Sequence, residues 1–418
     1  MKVLWFEVTR PSGYDGGGGV IGGWQDSLEN IVRSCQEISL AIAFETNSPE
    51  PMKVVDGVTY IPIYVNYTAE EKKEYLWTWE VNARKLVTLI DEVVKQYTPD
   101  IIHVFGCEWP FGLIAENTKI PVVIHIQGAI VPYNNAMFPP RYNLFDMYWA
   151  VGWKHPRRLY SIWRNYKKDM SREVIERRIW KACSNYMGRT DWDRRLSLVM
   201  HPGRRYFHVE EAIRSVFLSG DFCWKPNEGG KLRLFSTGCS TFWKGPDMLL
   251  KTARLLTELE VDFVWEVAGI MPQEIRRVVE HKEMASFSDC HIKFLGYVTP
   301  DRLVQKLSTT TIYVQTSYCE NSPNSICEAQ CLGVPVVSTN VGGISSLIRN
   351  GIDGLLVAAN DPWQMASTII ELSADKERMS SFSKNSRSFA LQRHSPQNIL
   401  KELLICYRSL FKEKRDLK

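Results

Sequence analysis

Short β-rich segments alternate with amphipathic helical segments along this chain, and the alternation occurs twice. In the first half the predicted strands are KVLWFEV, EISLAIAF, GVTYIPIYV, DIIHVF and PVVIHI, with a long helix predicted over residues 69–97. In the second half they are KLRLFSTG, DFVWEVAG, HIKFLGYV, TIYVQTS, PVVST and GLLV, each followed by a helical segment. Strands that alternate with helices are typical of parallel sheets covered on both faces. The pattern predicts an α/β protein with two doubly wound, Rossmann-like domains facing a cleft.

The boundary between the two halves is predicted at residues 218–230, where SGDFCWKPNEGGK collects glycine, proline and asparagine. It separates an N-terminal domain over 1–217 from a C-terminal domain over 231–395. The remaining residues, 396–418, contain a strongly amphipathic helix with no strand after it. The pattern leaves open whether this helix packs back on the N-terminal domain.

Composition and charge narrow the function classes. The net charge of +4 is too small to argue for nucleic acid, and no apolar run is long enough to span a bilayer. The ten cysteines are scattered without the spacing of a metal site. The first residues form a strand rather than a signal peptide, so the protein is expected in the cytoplasm.

A glycine-rich stretch behind the first strand, GYDGGGGVIGGWQ, contains G-x-G-x-x-G at Gly17, Gly19 and Gly22. One interpretation is a dinucleotide fingerprint, with Glu45 as the ribose-binding acid of an NAD(P)-dependent oxidoreductase. In that fold, however, the first glycine follows its strand almost at once, whereas residues 9–16 intervene here. The favoured interpretation is a loop whose end, Gly22 and Gly23, lets the backbone approach a ligand closely.

The most informative stretch is TIYVQTSYCENSPNSICEAQCLGVPVVSTNVGG, which predicts a strand, a loop, a helix and a strand. Ser322 is predicted to cap the helix, Pro323 to occupy its first position and Gly333 to end it. The N-terminus of a helix at the carboxyl edge of a parallel sheet is a typical site for a phosphate or diphosphate.

Two carboxylates, Glu320 and Glu328, bracket this predicted anion site. Negative charges beside a bound diphosphate would weaken its binding unless they have hydroxyl groups to bind. Sugar hydroxyls on either side of the phosphates are therefore the favoured ligands, although acidic residues near a helix N-terminus are also favoured by the helix dipole alone.

These motifs carry a family resemblance. The pair Glu320 and Glu328, followed by AQCLGVPVVSTNVGGISSLIRNGIDGLLV, resembles the E-x7-E signature of family 4 glycosyltransferases, which are retaining enzymes of the GT-B fold. STGCSTFWKGPDMLLKTARLL resembles the Lys-Gly phosphate-binding turn of the same domain, and the similarity covers about 231–373. Upstream, GRTDWDRRLSLVMHPGRRYFHVEEAIRSVF is similar to a bacterial polysaccharide-biosynthesis subset of the family.

The resemblance implies roles for matching residues. Glu320 would contact the donor sugar, Glu328 the ribose of the nucleotide, and Lys244 the leaving diphosphate, without a metal or another cofactor. The implied donor-binding residues are Gly22, Gly23, Lys244, Gly245, Glu320, Asn321, Ser322, Asn324, Ser325 and Glu328.

The sequence departs from the family in two places. Where many members have a second basic residue before the lysine, this chain has Gly238 and Cys239, so a second cation would come from elsewhere, with Arg189 and Arg349 as candidates.

In PVVIHIQG, Gln127 stands where relatives often carry a histidine, and His125 lies two residues earlier. Strand alternation predicts that both face the cleft. Together with Glu320 and Lys244 they complete the predicted catalytic set, with a buried structural histidine as the alternative for His125.

Two further features are relevant to metal binding and to membrane contact. Asp191-Trp192-Asp193 imitates a D-x-D metal motif, but both acids follow Thr190 and open a predicted helix, which explains them without metal. Between residues 141 and 181 basic residues outnumber acidic ones by eleven to four, and nine aromatic residues are interleaved. Such a surface suits a lipid headgroup region and a lipid-linked acceptor, or else a solvated helical subdomain.

The resemblance thus implies a retaining, metal-independent glycosyltransferase (a hexosyltransferase) in bacterial capsule, O-antigen or exopolysaccharide biosynthesis. It would transfer a sugar from a nucleotide-sugar donor to a glycan acceptor, expected to be lipid-linked, in the cytoplasm or at the inner face of the cytoplasmic membrane. The alternatives are the oxidoreductase and a non-catalytic nucleotide-sugar-binding protein of the same fold.

Overall fold

A computed structural model describes residues 1–16, 23–152, 154–225 and 230–416. The contacts between residues divide the chain into two compact units. The first unit contains residues 1–131, 163–214 and 394–418, and the second contains residues 132–162 and 215–393.

The first unit is built on an eight-stranded sheet in the order β3-β4-β2-β1-β5-β6-β7-β8. All neighbouring strands are parallel except the edge pair β3 and β4. The strands are β1 (Lys2–Glu7), β2 (Ser39–Thr46), β3 (Lys53–Val55), β4 (Val58–Tyr64), β5 (Ile101–Phe105), β6 (Val122–His125), β7 (Asn185–Gly188) and β8 (Arg205–His208). The helices that begin before residue 215 are α1 (Trp24–Arg33), α2 (Ala69–Tyr75), α3 (Glu80–Tyr97), α4 (Ile130–Asn135), α5 (Leu144–Val151), α6 (Pro156–Ala182) and α7 (Asp191–Met200).

The second unit is built on a six-stranded, all-parallel sheet in the order β11-β10-β9-β12-β13-β14. Its strands are β9 (Leu232–Thr237), β10 (Phe263–Ala268), β11 (Ile292–Gly296), β12 (Ile312–Gln315), β13 (Val336–Thr339) and β14 (Leu355–Val357). The later helices are α8 (Pro246–Glu258), α9 (Gln273–Glu283), α10 (Pro300–Ser308), α11 (Asn324–Leu332), α12 (Ile344–Leu347), α13 (Pro362–Ala374), α14 (Lys376–Arg393) and α15 (Pro396–Asp416). The predicted architecture of two doubly wound α/β domains is confirmed.

The C-terminal helix α15 packs on the sheet of the first unit. The Tyr407 hydroxyl accepts a hydrogen bond from Trp5 Nε1 at 2.8 Å and lies 2.6 Å from His103 Nδ1. The Tyr407 hydroxyl therefore links α15 to β1 and β5. Burial lowers the pKa of His103 to about 3, which keeps the ring neutral.

The helix predicted over residues 69–97 is two helices, α2 and α3. The backbone N–H of Trp79 donates to Ser171 Oγ of α6 at 3.0 Å, and the Trp79 side chain is buried. Tertiary packing therefore interrupts the helix at a position where local periodicity is continuous.

The segment 132–162 groups with the second unit, whereas the sequence boundary placed it in the first. Its helix α5 is fastened to α9 by Lys282 Nζ, which lies 2.9 Å from Asp146 Oδ1. Before that helix, Tyr142 OH donates to Glu283 Oε1 at 2.7 Å. These contacts join residues more than 130 positions apart, and strand and helix patterns carry no signal for them.

Candidate functional site

The strand order of the second sheet reverses between β9 and β12, because β10 and β11 lie on one side and β13 and β14 on the other. In open parallel sheets, ligands bind at such a switch point, at the carboxyl ends of the strands. Lys244 follows β9 and Glu320 follows β12, so the fold brings these two predicted residues to this place.

A tight turn carries Lys244 to the end of β12. Gly245 has φ 71°, and a Cβ atom on it would lie 2.0 Å from the carbonyl oxygen of Thr316. Thr316 Oγ1 in turn donates to the Lys244 carbonyl at 3.1 Å, and Tyr318 N donates to the Trp243 carbonyl at 2.7 Å. Only glycine fits this left-handed position, which explains the Lys-Gly sequence.

Lys244 and Glu320 form an ion pair, with 2.6 Å between Lys244 Nζ and Glu320 Oε1. The lysine side chain is 28% exposed and the glutamate side chain 6%. A partly exposed ammonium beside an almost buried carboxylate can reach an incoming anion, while the carboxylate stays fixed in the fold.

Glu320 is held by its main chain as well. Its carbonyl accepts the N–H of Gly343 at 3.0 Å. Gly342, with φ 53°, approaches so closely that a Cβ atom would lie 1.8 Å from the same oxygen. The loop after β13 thus fixes the backbone that presents the carboxylate.

The helix predicted after Glu320 is α11, and Gly333 ends it with φ 79° as predicted. The predicted start is wrong, because Pro323, not Ser322, is the capping residue and no side chain caps the helix. The first helical N–H groups, those of Asn324 and Ser325, have no acceptor within their own helix. The donor-binding residues predicted on this stretch, Asn321, Ser322 and Glu328, are buried.

A pocket adjoins the ion pair, and Gly238, Cys239, Lys244, Gln315 and Thr316 are among the residues that line it. Among its described lining residues, Lys244 is the only charged one. The two candidates for a second cation are engaged elsewhere. Arg349 Nε lies 2.5 Å from Asp353, and Arg189, in the first unit, is buried 2.9 Å from Glu211.

Aromatic residues of the segment 132–162 pack around the Lys244 turn. The ring of Tyr133 stacks on Trp243 with centroids 5.6 Å apart and an angle of 10° between the planes. Phe138 and Tyr142 contact Phe242 at 5.6 and 5.5 Å. Within the second unit, the segment 132–162 therefore packs on the predicted phosphate-binding turn.

In the first unit, His125 lies in the hydrophobic core at the end of β6. Its ring is fully buried and lies 4.9 Å from Trp24 and 5.4 Å from His103 between centroids. Burial lowers its pKa well below the usual range, so the imidazole is neutral. This environment is that of a core histidine.

Gln127 lies beyond the end of β6 and is half-buried, and its carbonyl accepts from Arg189 Nη2 at 3.0 Å. Gly23 precedes α1 with an extended backbone, and among the described residues no atom lies within 4 Å of a Cβ placed on it. Gly17, Gly19 and Gly22 lie outside the described residues. Since β1 ends at Glu7 and α1 begins at Trp24, the strand and helix are not joined by the tight turn of a dinucleotide fingerprint.

Asp191 and Asp193 open α7, as predicted. Thr190 and Asp193 form a reciprocal capping box, and Asp191 pairs with Arg194 at 3.0 Å. The buried Asp193 carboxylate accepts the backbone N–H of Arg189 at 2.8 Å. Both acids are thus explained by the start of the helix.

Sequence reasoning missed the polar residues that support Glu320, namely Tyr313, Gln315 and Ser317. Ser317 Oγ donates to Glu320 Oε1 at 2.7 Å, and Gln315 Nε2 donates to the same atom at 3.0 Å. A signal exists in TIYVQTS, where polar side chains recur at every second position of an otherwise apolar strand that is buried on both faces.

The comparisons with known proteins agree with this geometry. Residues 224–389 match the family described as "Glycosyl transferases group 1". Two D-inositol 3-phosphate glycosyltransferases, from Corynebacterium urealyticum and Pseudarthrobacter chlorophenolicus, are each 30% identical to this chain over 173 and 200 residues. The alignments cover 40% and 44% of this chain, and 40% and 46% of those relatives, so the chain spans less than half the length of the curated relatives it matches.

Solved structures match over almost the whole chain. Sucrose-phosphate synthase from Thermosynechococcus elongatus has a TM-score of 0.72 at 16% identity and covers 99% of both chains. The Anabaena protein HepE, solved with UDP and glucose, has a TM-score of 0.64 at 14% identity over 98% of this chain and all of the other. At these identities the likeness establishes the fold. The chain has the two-domain GT-B fold, and its residues 224–389 match the model of the glycosyl transferases group 1 family.

Proposed function

We propose that this protein is a metal-independent, retaining glycosyltransferase that transfers a sugar from a nucleotide-sugar donor to a glycan acceptor. The observation that carries the proposal is the Lys244–Glu320 pair at the switch point of a group 1 domain, 2.6 Å apart and beside the start of α11. The curated relatives are named as glycosyltransferases, and HepE was solved with UDP and glucose.

The residues of the site suit cleavage of a sugar–phosphate bond. Breaking the anomeric C–O bond places negative charge on the leaving diphosphate. Lys244 and the first N–H groups of α11 provide positive charge and donors that are fixed before the reaction, which is the arrangement that stabilises such charge most. Glu320 would accept hydrogen bonds from the donor sugar, and Glu328 from the ribose.

Gln127 and Gly23 are proposed to contact the donor or the acceptor from the first unit. Gln127 is suited to a hydrogen bond with a sugar hydroxyl because a neutral amide both donates and accepts. His125 is assigned a structural role, because its fully buried ring presents no exposed surface to a substrate.

For the acceptor we propose a lipid-linked glycan of bacterial surface polysaccharide assembly, reached at the inner face of the cytoplasmic membrane. Within residues 141–181, the side chain of Phe145 is 71% exposed, and Trp149, Tyr160 and Trp163 are also exposed. Exposed aromatic side chains among arginine and lysine suit a headgroup region. No helix among the described residues is both long and apolar enough to cross a membrane.

The direct test is a donor screen with purified protein in EDTA, using UDP-glucose, UDP-galactose, UDP-N-acetylglucosamine and GDP-mannose with a panel of lipid-linked and free glycans. Mass spectrometry detects the product, and NMR of its anomeric proton identifies the configuration. We expect transfer in EDTA with the α configuration of the donor retained. Activity that is lost in EDTA and restored by a divalent cation would refute the metal-independent mechanism, and an inverted product would refute retention.

A further inference from the structure

Buried polar side chains connect β9 to the carboxylate of Glu320. Thr237 Oγ1 lies 2.9 Å from Tyr313 OH. Tyr313 OH lies 2.9 Å from Gln315 Oε1. Gln315 Nε2 then reaches Ser317 Oγ at 2.7 Å and Glu320 Oε1 at 3.0 Å. The four contacts form one continuous hydrogen-bond chain below the predicted donor site.

The carboxylate of Glu320 sets the donor-to-acceptor direction of the hydrogen bonds in this series. An ionised carboxylate only accepts hydrogen bonds, so the amide nitrogen of Gln315 has to face it. The amide oxygen is then turned towards Tyr313, whose hydroxyl donates its single proton to it. The oxygen of that hydroxyl is left to accept from Thr237. The opposite amide orientation would place two oxygens against each other at Glu320.

The burial of these side chains restricts the amide of Gln315 to this orientation. Tyr313 and Ser317 are fully buried, and Gln315 is 3% exposed. Water cannot replace a lost partner easily at such positions, and a buried polar group without a partner is costly. The same positions in a buried parallel strand are usually apolar, so the polar chain requires a reason other than strand formation.

The three donors at Glu320 converge on one oxygen. Lys244 Nζ, Ser317 Oγ and Gln315 Nε2 all reach Oε1, at 2.6, 2.7 and 3.0 Å. No hydrogen bond from the described residues reaches the other oxygen, Oε2. The protein therefore holds one carboxylate oxygen and leaves the second for a ligand.

We propose that Gln315 is a positioning residue that fixes the carboxylate of Glu320, and that Tyr313 holds the amide of Gln315 in the required orientation. This inference rests on the proposed function in one respect, since it takes Glu320 as the group that binds the donor sugar. Gln315 and Ser317 hold Oε1 independently of Lys244, so that Oε2 keeps its direction towards the sugar hydroxyls.

The positioning itself is tested by crystal structures of the ligand-free wild type and of the Gln315→Leu variant. Leucine is nearly isosteric with glutamine and lacks both the amide oxygen and the amide nitrogen. We expect one Glu320 conformer in the wild type and a rotated or multiply occupied carboxylate in the variant. An identical, single carboxylate conformer in both structures would overturn the inference. This outcome does not depend on any activity, so it is separate from failure of the proposed function.

The functional consequence is tested by a double-mutant cycle of Gln315→Leu and Glu320→Ala. The substrate is whichever of the four nucleotide sugars in the screen is turned over fastest. In the wild-type background, Gln315→Leu is expected to lower turnover about tenfold or more, with the Kd for the nucleoside diphosphate of that donor (UDP or GDP) changed less than about twofold. In the Glu320→Ala background the same substitution should have little effect, because the group that it orients is absent. An equal loss in both backgrounds would overturn the inference.

Gln330→Leu is the matched control. Gln330 is a buried glutamine of α11 whose Nε2 donates to the Leu347 carbonyl at 2.9 Å. Gln330 belongs to the same unit, and its amide makes no hydrogen bond to Glu320. The Gln330→Leu variant should therefore keep its turnover within about twofold of wild type. A loss as large as that of Gln315→Leu would show that buried amides of this unit act through stability alone and would contradict the positioning role.

Discussion

The carboxylate of Glu176 binds the backbone of the segment that follows β6. The ionisation of this carboxylate leads to a prediction about the stability of the protein. This carboxylate of α6 is 1% exposed. It accepts the backbone N–H groups of Ile130 at 2.7 Å and Val131 at 2.9 Å, and Cys107 Sγ lies 3.2 Å away. These bonds hold the segment directly after Gln127, one of the residues proposed to contact the substrate.

Burial raises the pKa of Glu176 to about 7, although the two backbone N–H groups oppose the rise. The raised value means that the folded protein binds this proton more tightly than the unfolded chain, whose value is near 4.5. The stabilisation from the proton is complete below about pH 4.5 and is lost as the pH rises through about 7. Between about pH 5 and pH 8 the loss amounts to about 2–3 kcal/mol in the free energy of unfolding.

The perturbation is Glu176→Gln, which retains an acceptor oxygen for the loop but cannot ionise. Urea unfolding of both proteins at a series of pH values gives the difference in their free energies of unfolding. We expect the variant to gain about 2–3 kcal/mol relative to wild type as the pH rises from about 5 to about 8. Other groups that titrate in this range, such as Asp193, are present in both proteins and largely cancel.

Two curves that run parallel across this range would refute the reasoning, because they would mean that Glu176 has the same pKa in the folded and unfolded states. A difference of the opposite sign would mean that the backbone N–H groups outweigh burial and lower the pKa instead.

Three further predictions concern the fold and the predicted phosphate contacts. Gly245→Ala should destabilise the protein by about 2 kcal/mol or more in thermal or urea unfolding, because the left-handed turn leaves no room for a Cβ atom; a wild-type midpoint would contradict this. Gly23→Val should leave the unfolding midpoint near that of wild type, since no atom of the described residues lies within 4 Å of a Cβ at this position, yet lower the transfer rate; an unchanged rate would remove Gly23 from the donor site. Tyr407→Phe should cost about 1–3 kcal/mol in urea unfolding because it deprives Trp5 of a buried acceptor, and a stability equal to wild type would show that α15 is not held by this bond.

The sequence identified the strand and helix order because buried parallel strands and amphipathic helices have distinct periods. It also predicted a phosphate-binding turn at Lys244 and Gly245 and a donor-sugar contact at Glu320, because the short stretches around them resemble motifs of a known family. The structure brings these residues together at the reversal of strand order between β9 and β12.

What the sequence did not predict depends on contacts between distant residues. The break at Trp79 comes from a hydrogen bond to Ser171, and the attachment of α5 to α9 comes from single side-chain pairs. Strand alternation left open whether His125 is a functional or a core histidine, because it gives only the side of the sheet and not the depth of the side chain, which is fully buried.

The central claim is that Lys244 and Glu320 form the centre of the site. It is tested most directly by comparing the turnover of the nucleotide-sugar donor by two variants, Lys244→Ala and Lys306→Ala, both in EDTA. Both substitutions remove one lysine of an ion pair in the second unit, and the lysine side chains are 28% and 29% exposed. Loss of a preorganised group that stabilises transition-state charge should lower turnover by Lys244→Ala about 100-fold or more, whereas Lys306→Ala should stay within about twofold of wild type. Equal turnover by the two folded variants would contradict the assignment of Lys244 and Glu320 as the centre of the site.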